Sequence, residues 1–248
     1  MRGNIKEIII NEFKRNRLTY NDHLGEILEL YANLLITENK KYNLTSITSF
    51  EDIVNKHFID SILGFEKFKG KTNKVSSLVL MDIGTGAGFP GVPLVLYDQL
   101  CNEGKGIKKV HLVDSNKKKT EFLFLICDIL KDSINKNLIS IHNNRLESLQ
   151  LTTQLDLFLS RATGSINKVI DHLAEFLAKN KRSNNTAFLL YYGGAKFEHL
   201  KDGYNSKGKI ESGKRVEFDV SSKIIEEFEF SIENYKRVNV LYSLSPKI

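Results

Sequence analysis

A glycine-rich loop that directly follows a short apolar run constrains the fold of this chain more than any other feature. Residues 78–93 read LVLMDIGTGAGFPGVP, with Asp82 near the end of the apolar run and Gly84, Gly86 and Gly88 at alternate positions behind it. The apolar run predicts a buried strand. Glycines let the following backbone turn and approach a ligand closely, because they lack Cβ and tolerate positive φ. A glycine-rich surface turn without a ligand is the alternative.

The spacing of these glycines separates two classes of nucleotide site. A dinucleotide fingerprint would need its third glycine at position 89, where this chain has Phe89. The loop therefore favours S-adenosylmethionine (SAM), as in Rossmann-like methyltransferases, over NAD, and Asp82, Gly84, Gly86 and Gly88 are its candidate cofactor-binding residues. Asp114 ends the next predicted strand, VHLVD, where a carboxylate can accept hydrogen bonds from ribose hydroxyls. A carboxylate that only caps the following helix is the alternative for Asp114.

The periodicity of apolar residues divides the chain into two parts. Residues 1–69 predict helices packed on a core, with Asn21 or Asp22 and Ser49 as N-caps. Residues 70–248 predict an α/β domain of alternating strands and helices around a parallel sheet. The predicted strands are 78–83, 110–114, 138–142, 155–160, 187–192 and 236–244, the helices are 91–99, 116–131 and 165–179, and 202–215 is a predicted loop.

The composition and net charge of the chain limit the classes of partner and cofactor that we expect. The chain of 248 residues carries a net charge of +6, which favours a polyanionic partner, nucleic acid before membrane. Only Cys101 and Cys127 are present, without metal-ligand spacing, so we expect a reducing cytoplasm, no disulfide and no metal. The N-terminus shows neither a signal peptide nor a membrane span. Basic clusters that could form an RNA-binding rim are Lys14-Arg15-Arg17, Lys40-Lys41, Lys117-Lys118-Lys119 and Lys179-Lys181-Arg182.

Polar residues at two further places could line the cleft. Arg161 follows the strand LDLFLS and is expected to face the cleft, where its guanidinium could pair with the SAM carboxylate or an RNA phosphate, or form a structural salt bridge. His57, Asp60 and Ser61 fall on or beside one apolar helical stripe, so they either satisfy one another or line a cleft. A Ser-His-Asp hydrolase is a poor interpretation, because no nucleophile elbow is present.

With these motifs in order, the chain resembles the RsmG (GidB) family of bacterial methyltransferases of small-subunit ribosomal RNA. The resemblance covers about residues 30 to 165. The motifs that match the family are Asn43-Leu44-Thr45, His57-Phe58-Ile59-Asp60-Ser61, Asp82 to Gly91, Leu112-Val113-Asp114-Ser115 with Lys117-Lys118, Arg145-Leu146-Glu147 and Ser160-Arg161-Ala162. Where the family commonly has a lysine in L-K-G, this chain has Tyr192.

The resemblance implies a class I SAM-dependent methyltransferase with a helical N-terminal extension. It implies methyl transfer to N7 of a guanine in the 530 loop of 16S rRNA, with naked rRNA or the small ribosomal subunit as partner. Matching positions place SAM at Gly84, Phe89, Leu146, Glu147 and Arg161. Arg161 is our best candidate for a residue that takes part in catalysis, and we expect a monomer.

The residues allow this chemistry. A guanine N7 carries a free lone pair, so positioning the two reactants can supply much of the acceleration without a general base. We expect an unpaired base to stack on an aromatic ring, with Phe89, Tyr191 and Tyr192 as candidates. A SAM enzyme acting on a small molecule and a non-catalytic SAM- and RNA-binding protein remain alternatives.

Overall fold

The N-terminal part of the chain is helical because its apolar side chains repeat at helical spacing. The computed structural model describes residues 5–72, 77–161, 164–180, 185–194, 204–209, 215–230 and 235–247. Helices α1 (Ile5–Arg15), α2 (Asp22–Tyr42), α3 (Phe50–Ile53) and α4 (Asp60–Thr72) come first. Two predicted caps are confirmed, since the Asn21 side chain accepts from the N–H of Leu24 at 2.7 Å and Ser49 Oγ accepts from that of Asp52 at 3.1 Å.

A π-helical turn, Val54–Ile59, interrupts the helix that the sequence predicts from residue 50 onward. π-Helical turns are rare in proteins, and those that occur are often found at functional sites. This one carries His57, which is buried, and leads directly into buried Asp60 and Ser61. The apolar stripe alone could not reveal it, because the local spacing of Phe50, Ile53 and Val54 fits an ordinary α-helix equally well.

Beyond α4, the described residues form one eight-stranded sheet with helices packed on it. Its elements are β1 (Leu78–Ile83), α5 (Gly91–Cys101), β2 (Ile107–Val113), α6 (Lys117–Ile129), β3 (Ile139–His142), β4 (Leu157–Arg161), α7 (Ile166–Lys179), β5 (Ala187–Gly194), β6 (Asn205–Lys209), β7 (Arg215–Phe230) and β8 (Tyr235–Pro246). The strand order is β3-β2-β1-β4-β5-β8-β7-β6. The five neighbouring strands β3, β2, β1, β4 and β5 are parallel. Strand β8 pairs antiparallel with β5, and β7 and β6 follow it, each antiparallel to its neighbour. This arrangement confirms the predicted Rossmann-like α/β class.

The loop predicted over 202–215 is wrong in part, because β6 lies within it; residues 202–203 and 210–214 lie outside the described residues. The sequence of β6, NSKGK, has no apolar alternation and pairs only at the edge of the sheet. The long strand β7 was not predicted. Its first half carries the missed signal, since Phe218 and Val220 alternate with polar residues and are buried.

The helices of the N-terminal part and the sheet share one hydrophobic core. Leu28 and Tyr31 of α2 belong to the same buried cluster as Leu80 of β1 and Phe122 of α6. The Tyr31 hydroxyl donates to the carbonyl oxygen of Ala87 in the glycine loop, so α2 fixes the loop directly. The division at residues 69 and 70 stays a prediction, and α4 runs through it to Thr72. Within the described ranges, no helix is long and apolar enough to cross a membrane.

Candidate active site

The glycine loop joins β1 to α5 at the carboxyl end of the central strand. Gly84 and Gly86 have φ values of +66° and +61°, a region that side-chain-bearing residues rarely adopt. A Cβ on Gly86 would have no atom closer than 3.9 Å, so this glycine faces open space rather than packed protein. The loop therefore offers bare backbone at the position where ligands bind to open α/β sheets.

A first cavity of about 470 Å³ lies beside this loop. Four of the predicted cofactor residues line it: Gly84, Asp114, Leu146 and Glu147. The Asp114 carboxylate accepts from the N–H groups of Gly86 at 2.9 Å and Asn116 at 2.8 Å. A carboxylate has about four acceptor positions, so two remain for hydroxyl donors in the cavity.

The short 3₁₀ turn Leu146–Ser148 supplies the opposite wall of the first cavity. Leu146 is buried, and the Glu147 carboxylate lies 2.8 Å from Nδ1 of His172. Burial alone would raise the pKa of Glu147, but its own backbone N–H and the His172 side chain outweigh burial and lower that pKa. Glu147 is thus held ionised beside the cavity, as an acceptor for polar groups of a ligand.

Two predicted cofactor residues, Asp82 and Gly88, line neither of the cavities described here. Oδ2 of Asp82 accepts from Thr85 Oγ1 at 2.7 Å and from the N–H of Gly91 at 2.8 Å, and the side chain is fully buried. Burial raises the pKa of Asp82 to about 6. Asp82 therefore holds the glycine loop in place through hydrogen bonds to Thr85 and Gly91.

Gly88 has a φ of +102°, and a Cβ there would lie 2.4 Å from Oη of Tyr31. This glycine is required because α2 packs against the loop, which the sequence pattern could not distinguish from contact with a ligand. Its role in the structure is close packing between the helical extension and the sheet domain.

A second cavity of about 340 Å³ adjoins the first at the glycine loop. Gly84 and Lys119 line both cavities, and Gly86, Phe89 and Arg161 line the second one. Its remaining wall comes from His57 and from Asn43 to Ser46, the segment that follows α2. The role of Lys119 in joining the cavities was missed, because a lysine in a basic cluster on a helix carries no sequence signal for it.

Arg161 lies at the edge of the second cavity but is engaged by protein groups. Its Nη1 donates to the carbonyl oxygen of Lys56 at 2.6 Å and to Oδ2 of Asp60 at 3.2 Å, and its Nη2 contacts Nδ1 of His57. Asp60 Oδ2 also lies 3.1 Å from Nη2 of Arg237. Arg161 thus lines the cavity, and of the partners predicted for it the structure shows the structural ion pair.

The aromatic residues predicted to stack on a base do not offer an open face. The Phe89 ring is buried and is nearly parallel to the rings of His57, with centroids 4.1 Å apart, and of Tyr31, with centroids 5.4 Å apart. Tyr191 and Tyr192 are buried, and their hydroxyls donate to the carbonyl oxygens of Gly164 and Ser61. The third member of the S-R-A motif, Ala162, lies outside the described residues.

Ser61 Oγ donates to the carbonyl oxygen of His57 in the preceding turn, 2.5 Å away, so Ser61 and the His57 ring do not form a nucleophile pair. Over the part of the chain that the structure describes, no cluster of three or more His, Cys, Asp or Glu side chains could hold a metal ion.

Residues 25–222 match the model of the family described as GidB, rRNA small subunit methyltransferase G. The chain belongs to this family. Similar relatives are the ribosomal RNA small subunit methyltransferases G of Mycoplasma capricolum, 36% identical over 77% of this chain and 74% of that protein, and of Clostridium botulinum strain Alaska E43, 36% identical over 70% and 66%. The predicted family, the enzyme class and SAM as cofactor are thereby confirmed.

Solved structures show more distant likenesses. A SAM-dependent methyltransferase from Aquifex aeolicus is 14% identical over 75% of this chain and 91% of that chain, with a TM-score of 0.45. Haemonchus contortus phosphoethanolamine N-methyltransferase 1 is 14% identical over 89% and 50%, with a TM-score of 0.46.

Proposed function

We propose that this chain transfers a methyl group from SAM to N7 of a guanine in the 530 loop of 16S rRNA. The observation that carries the proposal is the pair of adjoining cavities at the glycine loop, since Gly84 and Lys119 line both. A donor in one cavity and an acceptor in the other could approach each other closely at Gly84, because this residue has no side chain.

The hydrogen-bond donors and acceptors on the wall of the first cavity suit SAM. The two free acceptor positions of Asp114 would hold the ribose hydroxyls, and Leu146 supplies an apolar surface for the adenine. Glu147, held ionised beside His172, and the N–H groups of the loop would hold the polar ends of the molecule. When bound there, SAM supplies an activated methyl group on a sulfonium centre.

The second cavity suits an acceptor that loses no proton before it is methylated. None of the described residues lining it is Asp or Glu. Burial lowers the pKa of His57, the nearby cations Arg161 and Arg237 lower it further, and its Nδ1 is engaged by Arg161. The described walls thus hold no carboxylate base and no free imidazole base, which agrees with attack by the N7 lone pair and with catalysis by positioning.

An RNA partner agrees with the charge around the second cavity. Lys118 Nζ lies 6.0 Å from the ring centroid of Tyr42, which brings the basic N-terminus of α6 to the basic C-terminus of α2. Asn43, the next residue after Tyr42, lines the cavity. Tyr42 is partly exposed and could stack on a flanking base. We further propose a monomer that acts in the cytoplasm on rRNA or on the small ribosomal subunit.

The test is transfer of labelled methyl from SAM to 16S rRNA, offered naked and as small subunits, followed by strand cleavage specific for N7-methylguanine. The proposal predicts incorporation and a single cleavage in the 530 loop. Incorporation into small molecules only, or intact SAM binding with no transfer to either RNA substrate, would overturn it and favour the two alternatives named above.

A further inference from the structure

Thr45 is held rigidly at the wall of the second cavity. Its backbone N–H donates to Oδ1 of Asn39, and its carbonyl oxygen accepts from Nδ2 of the same side chain, both at 2.9 Å. Asn39 is itself buried near the end of α2. The backbone of Thr45 is therefore fixed at both its N–H group and its carbonyl oxygen, and its side chain lines the cavity.

The direction of the hydrogen bonds at Thr45 follows from its neighbours. A guanidinium can only donate, so the contact of Arg161 Nη2 with Nδ1 of His57 makes Nδ1 an acceptor. Desolvation and the two nearby arginines lower the pKa of His57, so the ring is neutral. Because Nδ1 accepts from Arg161, we assign the ring proton to Nε2. In this tautomer the Nε2–H group donates to Oγ1 of Thr45, 3.1 Å away.

The Thr45 oxygen also accepts from the N–H of Ile47, again at 3.1 Å. Its two lone pairs are thus both used, and the hydroxyl can contribute only its hydrogen. Among the described residues no acceptor takes that hydrogen. The relay from Asp60 through Arg161 and His57 therefore leaves Thr45 as a dedicated donor on the wall of the second cavity.

We propose that the Thr45 hydroxyl donates a hydrogen bond to the O6 carbonyl of the acceptor purine and makes this site specific for guanine over 6-aminopurines. This inference rests on the proposed function, since it assumes that the second cavity holds the base to be methylated. Guanine presents O6 as an acceptor beside N7, whereas adenine presents an amino donor at the same position. A fixed hydroxyl donor at O6 leaves the N7 lone pair free.

The site selects against a 6-aminopurine because two hydrogen-bond donors would then face each other. The amino group of the purine is a donor, and the Thr45 hydroxyl cannot accept from it because both lone pairs of Oγ1 are already engaged. A site with a buried polar group discriminates strongly against an analogue that cannot pair with it. Arg161 acts here as a positioning residue, since it sets the tautomer of His57 and through it the direction of the Thr45 hydroxyl.

The test compares an RNA oligonucleotide carrying guanine at the target position with one carrying 2,6-diaminopurine, which changes O6 to an amino group and keeps N7. Equilibrium binding without SAM and methyl transfer are both measured for the wild-type protein, Thr45→Val, Thr45→Ala and Thr45→Ser. Thr37→Val on the exposed face of α2 is the matched control. SAM affinity and thermal unfolding report whether each variant keeps its fold.

We expect the wild-type protein, Thr45→Ser and Thr37→Val to prefer guanine about tenfold, and Thr45→Val and Thr45→Ala to lose most of that preference. Retention of the full preference by a folded valine or alanine variant would overturn the inference, as would its loss in the serine variant or its absence in the wild-type protein. Failure of the proposed function is distinct, because the wild-type protein would then methylate neither oligonucleotide.

Discussion

Arg161, at the carboxyl end of β4, donates to Asp60, the first residue of α4, across 3.2 Å, and both side chains are almost completely buried. Arg237 of β8 lies 3.1 Å from the same Asp60 oxygen. One carboxylate thus joins the helical extension to two strands of the sheet. Because Arg161 also orients His57, this ion pair connects the stability of the domain to the wall of the second cavity.

Substitution Asp60→Ala is predicted to destabilise the protein strongly. It would leave the buried guanidiniums of Arg161 and Arg237 without their shared carboxylate, and breaking a buried pair typically costs about 3–5 kcal/mol. Chemical denaturation measures the change. The matched control is Asp128→Ala, which removes an exposed partner of Lys131 and should cost less than about 1 kcal/mol. Equal free energies of unfolding for the two variants would contradict the prediction.

Two glycines of the loop are predicted to respond differently to alanine. Gly88→Ala would place Cβ 2.4 Å from Tyr31 Oη at a φ of +102°, so we expect a loss of about 3 kcal/mol in the free energy of unfolding. Gly86→Ala meets no atom within 3.9 Å and suffers mainly backbone strain of about 1 kcal/mol, yet its methyl group lies at the second cavity.

Denaturation and methyl-transfer assays on both glycine variants check this contrast. Gly86→Ala should remain folded and lose most of its transfer activity, whereas the main defect of Gly88→Ala should be in folding. A Gly88→Ala protein as stable as the wild type would show that α2 does not pack on the loop in the way described.

Asp82 predicts a specific dependence of stability on pH. Burial raises its pKa in the folded protein to about 6, from an ordinary value of 3.8. Between about pH 4 and pH 6 the folded state therefore holds a proton that the unfolded state has released, so the contribution of Asp82 to stability falls as the pH rises through this window. Two pKa units correspond to about 3 kcal/mol.

The measurement is the free energy of unfolding of the wild-type protein minus that of Asp82→Asn, as a function of pH. This difference should decrease by about 3 kcal/mol from pH 3 to pH 7 and stay constant above pH 7. A difference that is flat over the whole range would mean that Asp82 ionises in the folded protein as it does in water.

The basic surface beside the second cavity is predicted to contact the RNA backbone. Replacing Lys40, Lys41 and Lys118 by Gln should weaken RNA binding and reduce the slope of log affinity against log salt by about 2, if each lysine contacts one phosphate of a single strand. The control replaces Lys105 and Lys108, at the amino end of β2, and Lys131, which follows the C-terminus of α6. An identical slope for the two triple variants would indicate a net-charge effect only.

The sequence predicts local features of the site better than its long-range ones. The strand before Gly84 and the carboxylate of Asp114 follow from short patterns, because a buried parallel strand and its terminal loop are encoded within a few residues. The partner of Arg161 could not be predicted, since Asp60 lies 101 residues away and is brought there by a π-helical turn. The sequence suggests Phe89 as a stacking platform, but only the fold shows that its ring is buried and already stacked with Tyr31 and His57.

The division of labour between the two cavities is the central claim, and separate binding measurements on two variants test it most directly. Asp114→Asn should weaken SAM binding at least tenfold, because charged hydrogen-bond acceptors contribute about 1.5–3 kcal/mol, and should leave RNA affinity unchanged. Thr45→Val should weaken binding of the guanine oligonucleotide and leave SAM affinity unchanged. Loss of both affinities in either folded variant, or the reverse assignment, would contradict the account.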